Sequence, residues 1–160
     1  MAISVGDPIP DVKIMTITPD GPAPAQSADV LGKGKIVLFA VPGAFTPTCS
    51  EKHLPGFVVR ADDLEAKGVD TIACIAVNDA FVMGAWSAQR DPDGSITFLA
   101  DGNGDFTAAM GLELDGSGFG LGTRSQRYAA IIDDGVVTEL LVEPSAGLDV
   151  SSAESVLAKL

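Results

Sequence analysis

Two apolar, β-branched runs, GKIVLFAV at 34–41 and VDTIACIAV at 69–77, enclose a stretch with helical spacing, and no other feature of the sequence constrains the fold so strongly. A run of this kind without alternation marks a strand covered on both faces. Between the runs, Leu54, Phe57, Val58 and Leu64 predict a helix from about Thr48 to Ala66, bent by Pro55 and stopped at Gly68. Further on, DAFVMGAWSAQ predicts a helix capped by Asn78 or Asp79, and SITFLAD a third short strand. RYAAIID and VVTELLVE, joined by Asp-Gly, predict a hairpin. SSAESVLAKL predicts a terminal helix in which Ser151 and Glu154 have capping-box spacing. At the start, VKIMTIT alternates and runs into the turn-rich PDGPAPAQ, an edge strand or hairpin. Gly111 to Gly122 reads as irregular. Strand, helix, strand, helix, then hairpin and helix, is the order of a layered α/β domain with a mixed sheet.

At 160 residues with 46% hydrophobic content the chain supplies one sizeable core, so the expectation is a single domain over 1–160. The opening residues MAISVGDPIP show neither a basic nor an apolar leader, and no run reaches the ~18 apolar residues of a membrane span. Two cysteines make no disulfide framework, so the expected setting is a reducing one and the cytoplasm. A net charge of −12 with ten Lys plus Arg and no basic cluster argues against nucleic acid and anionic membrane as partners.

One of the two cysteines and the only histidine lie in VPGAFTPTCSEKH, residues 41–53. Pro42, Thr46 and Pro47 lead from the end of a strand into the helix, placing Cys49 in or near its first turn. There the unsatisfied N–H groups and the positive end of the helix dipole favour an anion, here a thiolate. Pro47 suits a helix start, Pro42 stiffens the entry and screens one side of the sulfur, and Thr46 brings a hydroxyl near it. The stretch is built to hold a small oxygen-containing molecule against sulfur. Cys74, inside the apolar run TIACIAV, reads as core. His53, four residues after Cys49, could share a helix face with it, and a cysteine–histidine pair would suggest a hydrolase or transferase nucleophile. No third orienting residue is identifiable, and His53 is assigned to lining or supporting the site.

Other chemistries fail on spacing. Position 55 is proline where a phosphatase-type Cys-x5-Arg needs arginine, and positions 46 and 52 are threonine and lysine where Cys-x-x-Cys needs a second cysteine. DGNGDFTAAMGLE has Phe106 and Leu112 where a calcium loop needs glycine and a carboxylate. GSGFGLG lacks G-x-G-x-x-G spacing, and the soft ligands are too few for a structural zinc.

The pattern Pro42-x-x-x-Thr46-x-x-Cys49, within VPGAFTPTCSEKHLPGF, resembles the peroxiredoxins, in particular their type II branch. The resemblance continues through GVDTIACIAVNDAFVMGAW and FLADGNGDFTAAMGLELD to LGTRSQRYAAIIDDGVV, nearly the whole chain. It implies a thioredoxin-like fold with an N-terminal hairpin extension. The implied activity is thiol-dependent reduction of hydrogen peroxide and alkyl hydroperoxides, often also peroxynitrite, without metal or flavin. Cys49 then matches the peroxidatic cysteine, Pro42 the shielding proline, Thr46 the peroxide-holding hydroxyl and Arg127 the family arginine, with Arg124 the near alternative. A second reading is a non-enzymatic thioredoxin-fold redox sensor or partner binder.

Ionisation alone is a weak device. Lowering a thiol pKa from ~8.5 to ~6.5 raises the thiolate fraction at neutral pH roughly 25-fold, while lost nucleophilicity removes roughly 6–10-fold of that. A fast peroxidase must therefore stabilise the charge that gathers on the leaving oxygen, the task expected of Arg127, Thr46 and the Cys49 N–H. No cysteine follows position 74, so the C-terminal resolving cysteine of some type II members is absent. The reductant must be external: glutathione with glutaredoxin, thioredoxin, or another small thiol. The resemblance also implies a homodimer, with Phe45, Phe81, Trp86 and Phe119 as candidate contacts.

Overall fold

The computed structural model describes residues 2–145 and 147–160. Their centre is a seven-stranded sheet whose order from edge to edge is β2 (Gly21–Gln26), β1 (Lys13–Thr18), β5 (Thr97–Ala100), β4 (Thr71–Ala76), β3 (Lys35–Ala40), β8 (Tyr128–Asp133) and β9 (Val136–Val142). The two apolar runs form its middle as β3 (Lys35–Ala40) and β4 (Thr71–Ala76), which pair in parallel, with β5 (Thr97–Ala100) parallel to β4. β8 (Tyr128–Asp133) lies antiparallel to β3, with Ala40 opposite Tyr128, and β9 (Val136–Val142) completes the hairpin. Its turn takes positive φ at both Asp134 (47°) and Gly135 (84°), the conformation that Asp-Gly is suited to in a two-residue hairpin loop. The thioredoxin-like, mixed α/β architecture expected from the sequence is present.

β1 (Lys13–Thr18) and β2 (Gly21–Gln26) form the N-terminal hairpin, and β1 joins the sheet along β5. The turn-rich segment is thus itself a strand. Pro22 and Pro24 are two apart, so their missing donors lie on one side of β2, the open edge of the sheet.

Side chains alternate across β3 and β4 and divide the core in two. Val37, Phe39, Cys74 and Ala76 pack on one face with Cys49, Leu54, Phe57 and Trp86. Ile36, Leu38 and Ile75 pack on the other with Leu31, Phe106 and Met110. Helix α4 (Ala80–Arg90) is capped by Asp79, whose side chain accepts from the Val82 N–H at 2.8 Å. Two helices escaped the sequence reading. α1 (Ser27–Leu31) is a single turn, and α5 (Asp105–Met110) is held by buried Asp101, which accepts the N–H groups of Phe106 and Thr107 and the Thr107 hydroxyl. The Gly-rich stretch holds a strand, β6 (Glu113–Asp115), and a 3₁₀ turn, and β6 pairs with β7 (Thr123–Ser125) just beyond it in a second small sheet.

Three expectations are corrected. The helix expected from Thr48 to Ala66 is a π turn (Cys49–His53), α2 (Leu54–Val59) and α3 (Ala61–Ala66), broken at Arg60. Pro55 acts through the turn before it: it cannot donate to the carbonyl four residues back, and the widened turn is closed by the Leu54 N–H on the Cys49 carbonyl. The terminal helix α6 (Ala153–Leu157) is capped by Ser152, whose hydroxyl accepts from the Ser155 N–H. Ser151 is wholly buried and its hydroxyl donates to Glu143. Trp86 is no surface contact: it is fully buried and its Nε1–H donates to the Ser50 hydroxyl at 3.0 Å.

Candidate active site

The Val41 N–H donates to the Ile75 carbonyl at 3.2 Å, so strand pairing runs to the residue before Pro42. The chain then turns through a loop pinned at two points. The Ala44 N–H donates to Asn78 Oδ1 at 2.9 Å, and the Thr46 hydroxyl donates to the Gly43 carbonyl at 2.6 Å. Phe45 takes a left-handed φ of 66°, a strained state for a bulky residue. Helical backbone begins at Pro47, and the first turn closes with the Ser50 N–H on the Thr46 carbonyl at 2.9 Å. Cys49 therefore lies one residue before the first closing donor, at the electropositive end of the helix.

Arg127 immediately precedes β8 and is only 9% exposed. One of its terminal nitrogens donates to Cys49 Sγ at 3.1 Å. The other lies 2.9 Å from His53 Nδ1. His53 Nε2 is 2.9 Å from the Ser151 carbonyl oxygen. A carbonyl only accepts, so the His53 proton is on Nε2, and its Nδ1 lone pair receives the guanidinium. Burial, and then the charge of Arg127, pushes the His53 pKa down to about 3, with the Ser151 carbonyl and Glu143 offsetting part of this. The ring packs tilted against the stacked pair Phe39 and Phe57, its centroid 5.0 and 5.6 Å from theirs. A neutral histidine whose only lone pair is occupied cannot serve as base to the cysteine. The hydrolase-like pairing weighed from the sequence is not formed.

Cys49 is completely buried, while Pro42 and Thr46 are half-buried. Pro42, Thr48 and Arg127 also line a cleft of about 450 Å³ that opens under β6 and the 3₁₀ turn. Arg124 does not reach the sulfur. Its Nε donates to the Leu121 carbonyl at 2.9 Å and one terminal nitrogen approaches the Pro42 carbonyl at 3.5 Å, bracing the loop from outside. Gly43 permits this, since a Cβ there would sit 3.0 Å from the guanidinium. Cys74 lies in β4 on the same side of the sheet as Cys49. Burial first, and then proximity to Cys49, pushes its thiol well up, with Arg127 only partly offsetting this.

Asn78, Ser151 and Glu143 were not singled out as site residues from the sequence. Asn78 follows β4 and pins the Cys49 loop. Glu143 directly follows β9 in LLVEP, and an acid at the end of an apolar strand is the one signal that could have marked it.

The Redoxin family model matches residues 4–157. The chain is 50% identical to Peroxiredoxin-2E, chloroplastic, of Arabidopsis thaliana over 99% of its own length and 70% of that protein. It is 46% identical to Peroxiredoxin-2B of the same plant, over 99% of this chain and 98% of the other. Reduced Prx3 of Vibrio vulnificus, solved in complex with H2O2, superposes with a TM-score of 0.93 at 52% identity, covering 98% of each chain. The 1-Cys peroxiredoxin of Plasmodium falciparum gives 0.91 at 30% identity over 96% of each. The chain belongs to the redoxin family and, within it, to the type II peroxiredoxins. It is accordingly an oxidoreductase, a thiol-dependent peroxidase.

Proposed function

We propose that Cys49 is the residue that meets the peroxide, and that it works by a one-cysteine cycle. The observation that carries this is the Arg127 guanidinium at 3.1 Å from Cys49 Sγ in a buried site at a helix start. The thiolate attacks one oxygen of ROOH, forming an S–O bond as the O–O bond breaks. The departing alkoxide takes a proton and leaves as ROH, or as water from hydrogen peroxide, and Cys49 becomes a sulfenic acid. Arg127 has N–H groups beyond those given to Cys49 and His53, and these face charge developing on the peroxide oxygens. The Thr46 hydroxyl, which donates to Gly43, keeps its lone pairs for a peroxide O–H. Pro42 screens the sulfur.

Recycling takes two external thiols: the first condenses with the sulfenic acid, releasing water and leaving a mixed disulfide, and the second restores Cys49 as an external disulfide leaves. Because Cys49 is wholly buried and Phe45 is strained, the loop must open for that exchange. Hydrogen peroxide and alkyl hydroperoxides are the substrates on this reading, with peroxynitrite a further one. Glutathione with glutaredoxin, or thioredoxin, is the donor. Residues 1–160 act as one catalytic domain, in a cytoplasmic homodimer. Phe45, Phe81 and Phe119, exposed by 49%, 77% and 89%, support the dimer. Stopped-flow peroxide consumption with each donor in turn, on wild-type and Cys49→Ser protein, tests the reading. Turnover retained in Cys49→Ser would overturn it.

A further inference from the structure

Arg127 makes no ion pair among the described residues, where the salt bridges are those of Arg60 with Asp63 and Glu154. A buried guanidinium would ordinarily be held by a carboxylate. This one is held by a neutral imidazole, and the carboxylate stands further back. The connections form a closed circuit. The Glu143 N–H donates to the Arg127 carbonyl at 2.9 Å. Glu143 Oε2 accepts the Ser151 N–H at 2.8 Å, the Ser151 hydroxyl at 2.7 Å and the Asp149 N–H at 2.8 Å. The Ser151 carbonyl accepts from His53 Nε2 at 2.9 Å, and His53 Nδ1 accepts from Arg127 at 2.9 Å. Arg127 and Glu143 are each 9% exposed, His53 1% and Ser151 not at all.

We propose that the ring Arg127–Glu143–Ser151–His53 fixes the direction of the Arg127 guanidinium toward the Cys49 sulfur and the peroxide, which makes Glu143 a positioning residue for the peroxidase reaction. The proposal rests on the peroxidase reading above. Two physical points carry it. An arginine side chain has several rotatable bonds, and a guanidinium that must meet both a sulfur and a moving oxygen loses its effect if it swings by an ångström. Anchoring both its backbone and its head to one loop removes that freedom. The spacing also matters for charge: a carboxylate directly on Arg127 would compete with the thiolate for its positive charge, whereas the imidazole transmits position and adds no negative charge. Burial alone would push the Glu143 carboxyl up, but the N–H groups of Asp149, Ser151 and Val150 and the Ser151 hydroxyl hold it below the usual range, so it stays ionised as an acceptor.

The test compares two rates on one sulfur. Alkylation by iodoacetamide needs the thiolate but does not use Arg127 on a leaving oxygen. Peroxide reduction needs both. Each rate is followed against pH to its plateau, which removes differences in ionisation. Glu143→Ala opens the ring at the carboxylate, and His53→Leu opens it at the imidazole while filling the core. Each variant should lower the plateau rate with hydrogen peroxide by about tenfold or more while changing the alkylation plateau by less than about threefold. Because both break one ring, the double variant should be no slower than the slower single variant. Should either single variant fail to fold by circular dichroism, the other decides alone. Loss of both rates in parallel, or effects that multiply in the double variant, would mean that Glu143 only supports the loop, and so would peroxide-to-alkylation ratios that stay at the wild-type value. A wild-type protein that consumes no peroxide would instead overturn the peroxidase reading itself.

Discussion

Cys49 and Cys74 are both fully buried, and both belong to the same apolar cluster on one side of the sheet. What separates them is the backbone and the donors around each. Cys74 sits inside a paired strand, opposite Phe39 and Phe98 on its neighbours, where burial holds its thiol protonated. Cys49 sits at a helix start with a guanidinium on its sulfur. Burial keeps one thiol protonated. At the other, burial removes competing water from an arrangement of donors, which makes those donors stronger.

The two thiols should differ most under substitution. Cys49→Ser is expected to drop peroxide turnover below about one part in 10³ of wild type, whereas Cys74→Ala should keep it within about threefold. Steady-state peroxide consumption reads both. A Cys74 variant as inactive as the Cys49 variant would erase the distinction. Next in size, Arg127→Ala should slow sulfenate formation by roughly 10²–10³-fold even at the pH plateau. Arg124, which donates to the Leu121 carbonyl at 2.9 Å and approaches the Pro42 carbonyl at 3.5 Å without bonding the sulfur, should cost less than about fivefold as Arg124→Ala. Equal losses in stopped-flow traces would mean that the two arginines share the work.

Acid sharpens the contrast through stability. β4 carries no group that titrates in acid, while the Cys49 surroundings hold His53 neutral. An unfolded histidine takes up a proton near pH 6.5, and the folded one resists until about pH 3. Between those values the unfolded state binds more protons, so the contribution is complete above the upper value and is lost as pH falls toward the lower. By about pH 4.5 the loss is on the order of 2–3 kcal/mol. The wild-type urea midpoint should fall relative to that of His53→Leu as pH drops from neutral to about 4.5; parallel curves would contradict a neutral buried imidazole. The smallest effect lies one residue past Ser151: Ser152→Ala should cost about 1 kcal/mol as the lost cap of α6.

Much of this was legible in the residues because the relevant signals are local. Pro42, Thr46 and Cys49 lie within one loop and turn, and the apolar runs around them fix which strand they follow. Arg127 was identified by resemblance, since nothing in its neighbours distinguishes it from Arg124 until β8 pairs with β3. The ring was out of reach. His53 and Ser151 meet across 98 positions and Arg127 and His53 across 74, contacts that arise only from the closing of the sheet. The capping box slipped by one residue for the same reason: Ser151 satisfies the local pattern, but Glu143 claims its hydroxyl and N–H, and Ser152 takes the cap. The π turn follows from Pro55 only once the carbonyls around it are counted.

On the proposed function one buried cysteine is reactive and the other is not. Reduced protein treated with one equivalent of hydrogen peroxide, trapped at once with a sulfenate-specific reagent and mapped by peptide mass, tests it directly. The expected products are a sulfenate adduct on Cys49 and an unmodified Cys74 thiol, with glutathione converting the sulfenate to a mixed disulfide. A sulfenate on Cys74, or a Cys49–Cys74 bridge formed as fast as peroxide is consumed, would contradict it.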